Sequence, residues 1–166
     1  MMMRGILYLC ATPIGNRGDI TERVKETLCS VDLIAAEDTR HSRGLLDFYG
    51  IDRPLTSYHE HNKYEKAEEL LGLLLAGKNI ALITDAGTPA ISDPGEVLVR
   101  RCHEAGVTVT SLPGACALIT ALSVSGFPAR RFVFEGFLPQ ETKERKDVLA
   151  SLAAERRTII LYEAPH

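Results

Sequence analysis

The sequence has no basic excess. Its 19 lysines and arginines are outnumbered by 22 acidic residues, for a formal net charge of −3. Nucleic-acid binders usually carry a basic surplus, so composition alone points away from RNA. Cysteine is scarce: Cys10, Cys29, Cys102 and Cys116 are the only four. None forms a C-x-x-C pair or a zinc-like spacing, which argues against a zinc module and a disulfide scaffold. The expectation is free, mostly buried thiols in a reducing cytoplasm. No apolar run approaches about 18 residues, so no membrane span is expected. Residues 1–5 do not read as a secretory leader. A hydrophobic content of 45% and a charged content of 25% are those of an ordinary globular protein and speak against disorder.

The 166 residues suit one domain, or one domain and part of another. Charge is unevenly spread. Residues 1–126 carry 12 basic and 16 acidic side chains, and residues 127–166 carry 7 and 6. Arg130, Arg131, Lys143, Arg145, Lys146, Arg156 and Arg157 supply the second set. An imbalance of this size reads most simply as an ordinary solvated surface.

Apolar runs and helical periods alternate. Strands are predicted over 6–11, 32–36, 55–58, 79–84 and 107–112, and helices over 20–31, 39–49, 62–76, 96–105 and 115–125. Gly50, Gly77, Gly106 and Gly126 stand where helices stop. This alternation predicts an α/β fold with a largely parallel sheet flanked by helices. Phe127-Pro128 interrupts the rhythm. A strand (131–137), a charged helix (141–154) and another strand (158–162) follow. The expected division is an N-terminal α/β domain over 1–126 and, over 127–166, the beginning of a second α/β domain whose remainder is absent.

Three Gly/Pro-containing loops follow predicted strands, where open α/β sheets bind ligands. The first, Ala11-Thr12-Pro13-Ile14-Gly15-Asn16, lacks the G-x-G-x-x-G dinucleotide fingerprint. The second, Asp85 to Gly95 (DAGTPAISDPG), is long for a strand-to-helix connection. It offers a rigid polar ledge in which Asp85 reads as functional. Asp93 reads as a helix N-cap, with Pro94 at the first helical position. The third, Leu112-Pro113-Gly114-Ala115-Cys116-Ala117, opens a helix. A helix N-terminus favours a reactive thiolate, but no histidine partner is placed, and Cys116 reads as a small packing residue. All three loops are expected to converge on one cleft.

Other signals are weaker. Gly72 to Lys78 fits G-x-x-x-x-G-K, but no Ser or Thr follows and its leucines belong to a helix. Glu37-Asp38-Thr39-Arg40-His41 reads as a substrate-facing rim or as a helix cap, with Asp38 or Thr39 at the N-cap. His59-Glu60-His61 offers two imidazoles without a third ligand, a weak metal signal, and reads as a polar rim or an exposed loop. No metal site is expected.

Taken together, LYLCATPIGN (7–16), AAEDTRHSRGLL (35–46), YHEHN (58–62), ITDAGTPAISDPG (83–95), LPGACA (112–117), FEGFLP (134–139) and YEAPH (162–166) resemble the bacterial 16S rRNA cytidine 2'-O-methyltransferase family of the tetrapyrrole methylase superfamily. The resemblance covers essentially the whole chain. It implies a tetrapyrrole methylase-like two-domain α/β enzyme, cytoplasmic and homodimeric. It also implies methyl transfer from S-adenosyl-L-methionine, leaving S-adenosyl-L-homocysteine, to a cytidine ribose in the decoding region of the small ribosomal subunit. Carried onto this chain, the cofactor residues are Pro13, Ile14, Gly15, Asp85, Ala86, Gly87, Thr88, Ile91, Ser92, Ala115, Cys116 and Ala117. A ribose hydroxyl is a poor nucleophile that a general base would assist. The base is not identified; Glu37, Asp38, His59, Glu60 and His61 are candidates, with Arg40 as a phosphate or base contact. The competing expectations are a methylase of a small tetrapyrrole-like substrate and a non-catalytic cofactor-binding module.

Overall fold

A computed structural model describes residues 3–164. These divide into two compact units between Cys116 and Ala117, ten residues before the break in rhythm at Phe127-Pro128. The helix of small residues after the third loop therefore groups with the second unit.

In the first unit, strands β1 (Ile6–Cys10), β2 (Leu33–Ala36), β3 (Leu55–Ser57), β4 (Ile80–Ile83) and β5 (Thr108–Leu112) form one sheet in the order β3-β2-β4-β1-β5. Every neighbouring pair is parallel. Helices α1 (Glu22–Ser30), α2 (Thr39–Phe48), α3 (Lys63–Leu75) and α4 (Glu96–Glu104) connect them. A short 3-10 turn at Arg17–Asp19 was not foreseen.

Side chains of a strand alternate between faces, and β4 shows the consequence. Ile80 and Leu82 enter a core with Leu70, Leu74, Leu98 and Cys102 of α3 and α4. Ala81 and Ile83 enter a second core with Val24, Leu28 and Leu46 of α1 and α2. Helices thus cover both faces, which is why the strand reads as a continuous apolar run. Burial pushes the Cys10 thiol up to about 12 and that of Cys102 to about 11, so both act as packing groups; Cys29, by contrast, is exposed. Leu82 is 1% exposed on this central strand. Leu82→Ala should cost about 2–5 kcal/mol, read as a lower urea midpoint with unchanged slope. A loss below about 1 kcal/mol would contradict the packing described.

Helix starts follow local chemistry. Thr21 caps α1 through a bond from the Val24 N–H, and Asp38 caps α2 by accepting from the N–H groups of Arg40 and His41. Asn62 occupies the N-cap position of α3 without capping it. Its carboxamide instead accepts from the His59 N–H and donates to the Ser57 carbonyl, closing the turn after β3.

The second unit holds α5 (Ala117–Val124), β6 (Phe132–Phe137), α6 (Thr142–Leu152) and β7 (Thr158–Tyr162). β6 and β7 pair in parallel with a bulge between Phe134 and Gly136. Tyr162 packs edge-on against Phe134 and Phe137, and its hydroxyl accepts from the Leu118 N–H. Within YEAPH, Pro165 and His166 lie outside the described residues. No helix among the described residues is long and apolar enough to cross a membrane.

Candidate functional site

Strand order decides where the first unit can bind a ligand. β1 leads into α1, which packs on the face of the second core, and β4 leads into α4, which packs on the face of the first. β1 and β4 are neighbours, so their outgoing loops leave for opposite faces of the sheet, and the crevice at their carboxyl ends is the topological switch point of an open α/β sheet. The first and second loops of the sequence reading are the two that diverge there.

They are stitched together at the mouth of the crevice. Thr12 and Gly87 exchange two backbone hydrogen bonds, of 2.9 and 3.0 Å. The buried Thr12 hydroxyl donates to the Thr84 carbonyl at 3.0 Å. The third loop joins through the Thr88 hydroxyl, which donates to the Ala115 carbonyl at 3.0 Å. Gly87 has a φ of 89°, and a Cβ there would lie 3.3 Å from Ile14 Cγ2 and 3.7 Å from the Ala115 oxygen. Three loops distant in sequence thus meet at one glycine. The second loop is also held in unfavourable backbone conformations at Ala90 (φ 65°) and Ser92 (φ 61°). Such conformations persist where surrounding structure enforces them, commonly at ligand sites.

Of the twelve cofactor residues carried over by resemblance, Pro13, Ile14, Gly15, Asp85, Ala86, Gly87, Thr88 and Ala115 lie on these joined loops. Ile91 and Ser92 are exposed farther along the second loop, and Cys116 is half-buried at the end of the third. Ala117 opens α5 and belongs to the second unit. A pocket of about 380 Å³ beside Asp85 is lined by Pro13, Gly15, Arg17, His41, Gly44 and Leu45. Arg17 and Gly44 went unnoticed in the sequence. The signal for Gly44 was available: a glycine inside a helical pattern costs about 1 kcal/mol relative to alanine. A Cβ built at Gly44 meets nothing within 4 Å, so packing does not require the glycine.

Asp93 departs from expectation. α4 begins at Glu96 with Gly95 at its N-cap, so Asp93 is not a cap and Pro94 lies outside the helix. The Asp93 carboxyl turns into an acidic cluster instead. Burial, then repulsion from Glu37, push it up to about 6, with a smaller push from Asp85, against an opposing hydrogen bond from Thr84. The Thr84 hydroxyl donates to Glu37 Oε2 at 2.9 Å. Asp85 Oδ1 is buried with no hydrogen-bond partner among the described residues. The cap motif misled because Asp-Pro before a helix fits the local rule; three carboxylates converging from two strand ends have no local signature.

The remaining rim residues separate. Asp38 spends its carboxylate on the α2 cap, and those two N–H groups hold it below the usual carboxylate range. Arg40 is exposed. His59, Glu60 and His61 lie in a turn after β3, positioned by the Tyr58 N–H bond to the Ala36 carbonyl. The two imidazoles meet edge to face, 6.0 Å apart. His59 Nδ1 is buried without a hydrogen-bond partner among the described residues, while Glu60 pairs with Lys63. Among the described residues no group of three or more His, Cys, Asp or Glu could hold a metal ion.

The family model for tetrapyrrole (corrin/porphyrin) methylases matches residues 6–166. The chain belongs to the tetrapyrrole methylase family. Two relatives of this chain are named ribosomal RNA small subunit methyltransferase I. The protein of Haemophilus influenzae is 60% identical over 99% of this chain and 58% of its own length. That of Synechocystis sp. is 60% identical over 98% and 58%. The chain therefore spans less than two thirds of the length of these curated relatives. The crystal structure of diphthine synthase superposes with a TM-score of 0.71 at 14% identity, covering 98% of this chain and 66% of that one. That likeness supports the tetrapyrrole methylase fold and nothing finer.

Proposed function

We propose that this chain carries the cofactor-binding part of an S-adenosylmethionine-dependent methyltransferase acting on the ribose 2'-oxygen of a cytidine in the decoding region of 16S rRNA. The observation behind this reading is 60% identity along nearly the whole chain to a protein named for small-subunit rRNA methylation. A homodimer in the cytoplasm is part of the proposal, and light scattering reads its molar mass directly.

The residues of the crevice fit such a cofactor. Asp85 Oδ1 is an unsatisfied buried acceptor, suited to a polar group of the ligand. A Cβ at Gly15 would meet nothing within 4 Å, so backbone there is open to close approach. Pro13, Ile14, Gly15, Asp85, Ala86, Gly87, Thr88, Ile91, Ser92, Ala115, Cys116 and Ala117 are the residues proposed to hold it. When bound, the cofactor supplies a methyl group on a positively charged sulfonium. Glu37, Asp85 and Asp93 put negative charge where it complements a cation.

Proton handling follows from the same cluster. A general base works best with a pKa near the working pH. Asp93, at about 6, is the carboxyl group closest to that condition, and we assign it the proton of the 2'-hydroxyl. Glu37, held by Thr84, keeps the proton affinity of Asp93 high. Arg17 and His41, on the wall of the pocket beside Asp85, can contact the phosphates flanking the target.

Asp85→Ala is expected to weaken S-adenosylmethionine binding by at least about tenfold, the worth of one good buried hydrogen bond. Calorimetric titration measures it, and unchanged affinity would remove Asp85 from the cleft. The reaction itself is read by labelled methyl incorporation into small subunits lacking the modification. Incorporation into a tetrapyrrole instead, or into neither, would overturn it.

A further inference from the structure

The second unit concentrates positive charge in a way net composition conceals. Two Arg-Arg pairs, Arg130-Arg131 and Arg156-Arg157, each end immediately before a strand. β6 and β7 are parallel, with Phe132 opposite Thr158 at their first residues. That register sets the two pairs side by side at the amino-terminal edge of the two-stranded sheet. The Thr158 hydroxyl donates to the Pro128 carbonyl at 2.7 Å and fixes the incoming segment to β7. All four arginines, with Phe127, Pro128 and Thr158, line a single concavity of about 500 Å³.

Little of this charge is neutralised. Arg157 pairs with Glu155 at 2.6 Å, which holds that carboxyl down at about 2. Arg130, Arg131 and Arg156 are exposed and make no ion pair among the described residues. Guanidinium groups gathered in this way repel one another and match phosphate oxygens bidentately. Phe127 stands at the same concavity with 67% of its surface exposed. An exposed ring beside phosphate-binding cations is the combination that grips unpaired nucleic acid, the cations tracking backbone and the ring stacking a base.

We propose that the Arg130-Arg131 and Arg156-Arg157 edge, with Phe127, is an RNA-docking surface for an unpaired segment of the substrate, built from none of the residues proposed to hold the cofactor. The identity of the polyanion as RNA rests on the function proposed above; the basic surface does not. Its part is to add affinity and fix orientation by phosphate contact, without reading sequence.

The test is fluorescence anisotropy with a labelled small-subunit rRNA fragment, at a series of salt concentrations. Arg130→Ala/Arg131→Ala/Arg156→Ala should weaken binding at least about tenfold at low salt and reduce the log–log salt slope by about 2, from three lost phosphate contacts. Phe127→Ala should weaken binding by about fivefold or more with the salt slope unchanged, the mark of lost stacking. S-adenosylmethionine affinity should stay the same in both variants, showing that the fold persists. Equal affinity and slope in the triple variant, while wild-type protein still methylates RNA, would overturn the docking surface and leave the reaction standing. Lost RNA binding in the triple variant, with no methyl incorporation by wild type, would support the surface and overturn the reaction. Binding to phosphatidylserine vesicles that depends on the same arginines, with RNA binding unaffected by them, would also overturn the proposal.

Discussion

Asp93→Asn is expected to reduce methyl transfer by about 10²–10⁴-fold, the usual worth of a general base, while leaving the protein more stable at neutral pH. The two effects have one origin. The Asp93 carboxyl is raised to about 6 by burial and by the neighbouring Glu37 and Asp85, against an unfolded value of about 3.9. A raised folded-state pKa means that the folded chain holds the proton more tightly. Stability from this group is fully present below about pH 3.9 and is lost progressively as the pH rises through about 6. Above that, the ionised carboxylate is a standing cost to folding. Because Asp93 is only half-buried, solvent screening reduces the cost to the order of 1 kcal/mol. Asparagine removes it, so the melting temperature should rise at about pH 7.5 and change little at about pH 4. Methyl transfer by the unaltered protein should show an acid limb near the pKa of Asp93, and Glu37→Gln should move that limb to lower pH. A D93N variant with wild-type rates, or one less stable at neutral pH, would contradict the assignment.

The second large effect belongs to Gly87. Gly87→Val places a branched side chain at a φ of 89°, against Ile14 and the Ala115 carbonyl. Strain for a β-branched residue in this region is on the order of 1–3 kcal/mol. Relief requires the first and third loops to move away, which breaks the paired bonds to Thr12. Cofactor affinity should therefore fall by about 100-fold or more, since loops displaced by about 1 Å lose their preorganisation. Circular dichroism should remain that of the wild type, because both cores lie beneath the loops and not among them. Binding within about threefold of wild type would show that the loops reach the ligand independently of Gly87.

The parallel sheet and the helices around it could be read from the sequence because each element carries its own local signal. The apolar run of β4, the cap offered at Asp38 or Thr39 and the stop at Gly50 all state their structure within a few residues. The meeting of the three loops was also legible, because strand ends in an α/β sheet share one edge. What escaped were the contacts made across elements. Asp93 obeys a local capping rule and is taken from it by Glu37, from another strand end, and by Asp85, eight residues back on its own loop. His59 and His61 read as a rim, and only the turn held by Asn62 brings their rings together. The arginine edge was legible as residues but not as a place, since the register of β6 against β7 assembles it. Net charge could not show that edge either: a sum has no position.

The strand order has a consequence for when binding becomes possible. β1 and β2 are never hydrogen-bonded to each other; β4 lies between them and joins both. Until β4 inserts, the β2–β3 pair and the β1 edge are separate pieces of sheet, and their union waits for a strand that begins some 70 residues after β1. Closing so long a loop makes this a late step in assembly. The same insertion creates the crevice, because Asp85 and Gly87 arrive on the end of β4. Ligand affinity therefore reports that this central strand has docked, and a bound cofactor would hold it in place by mass action.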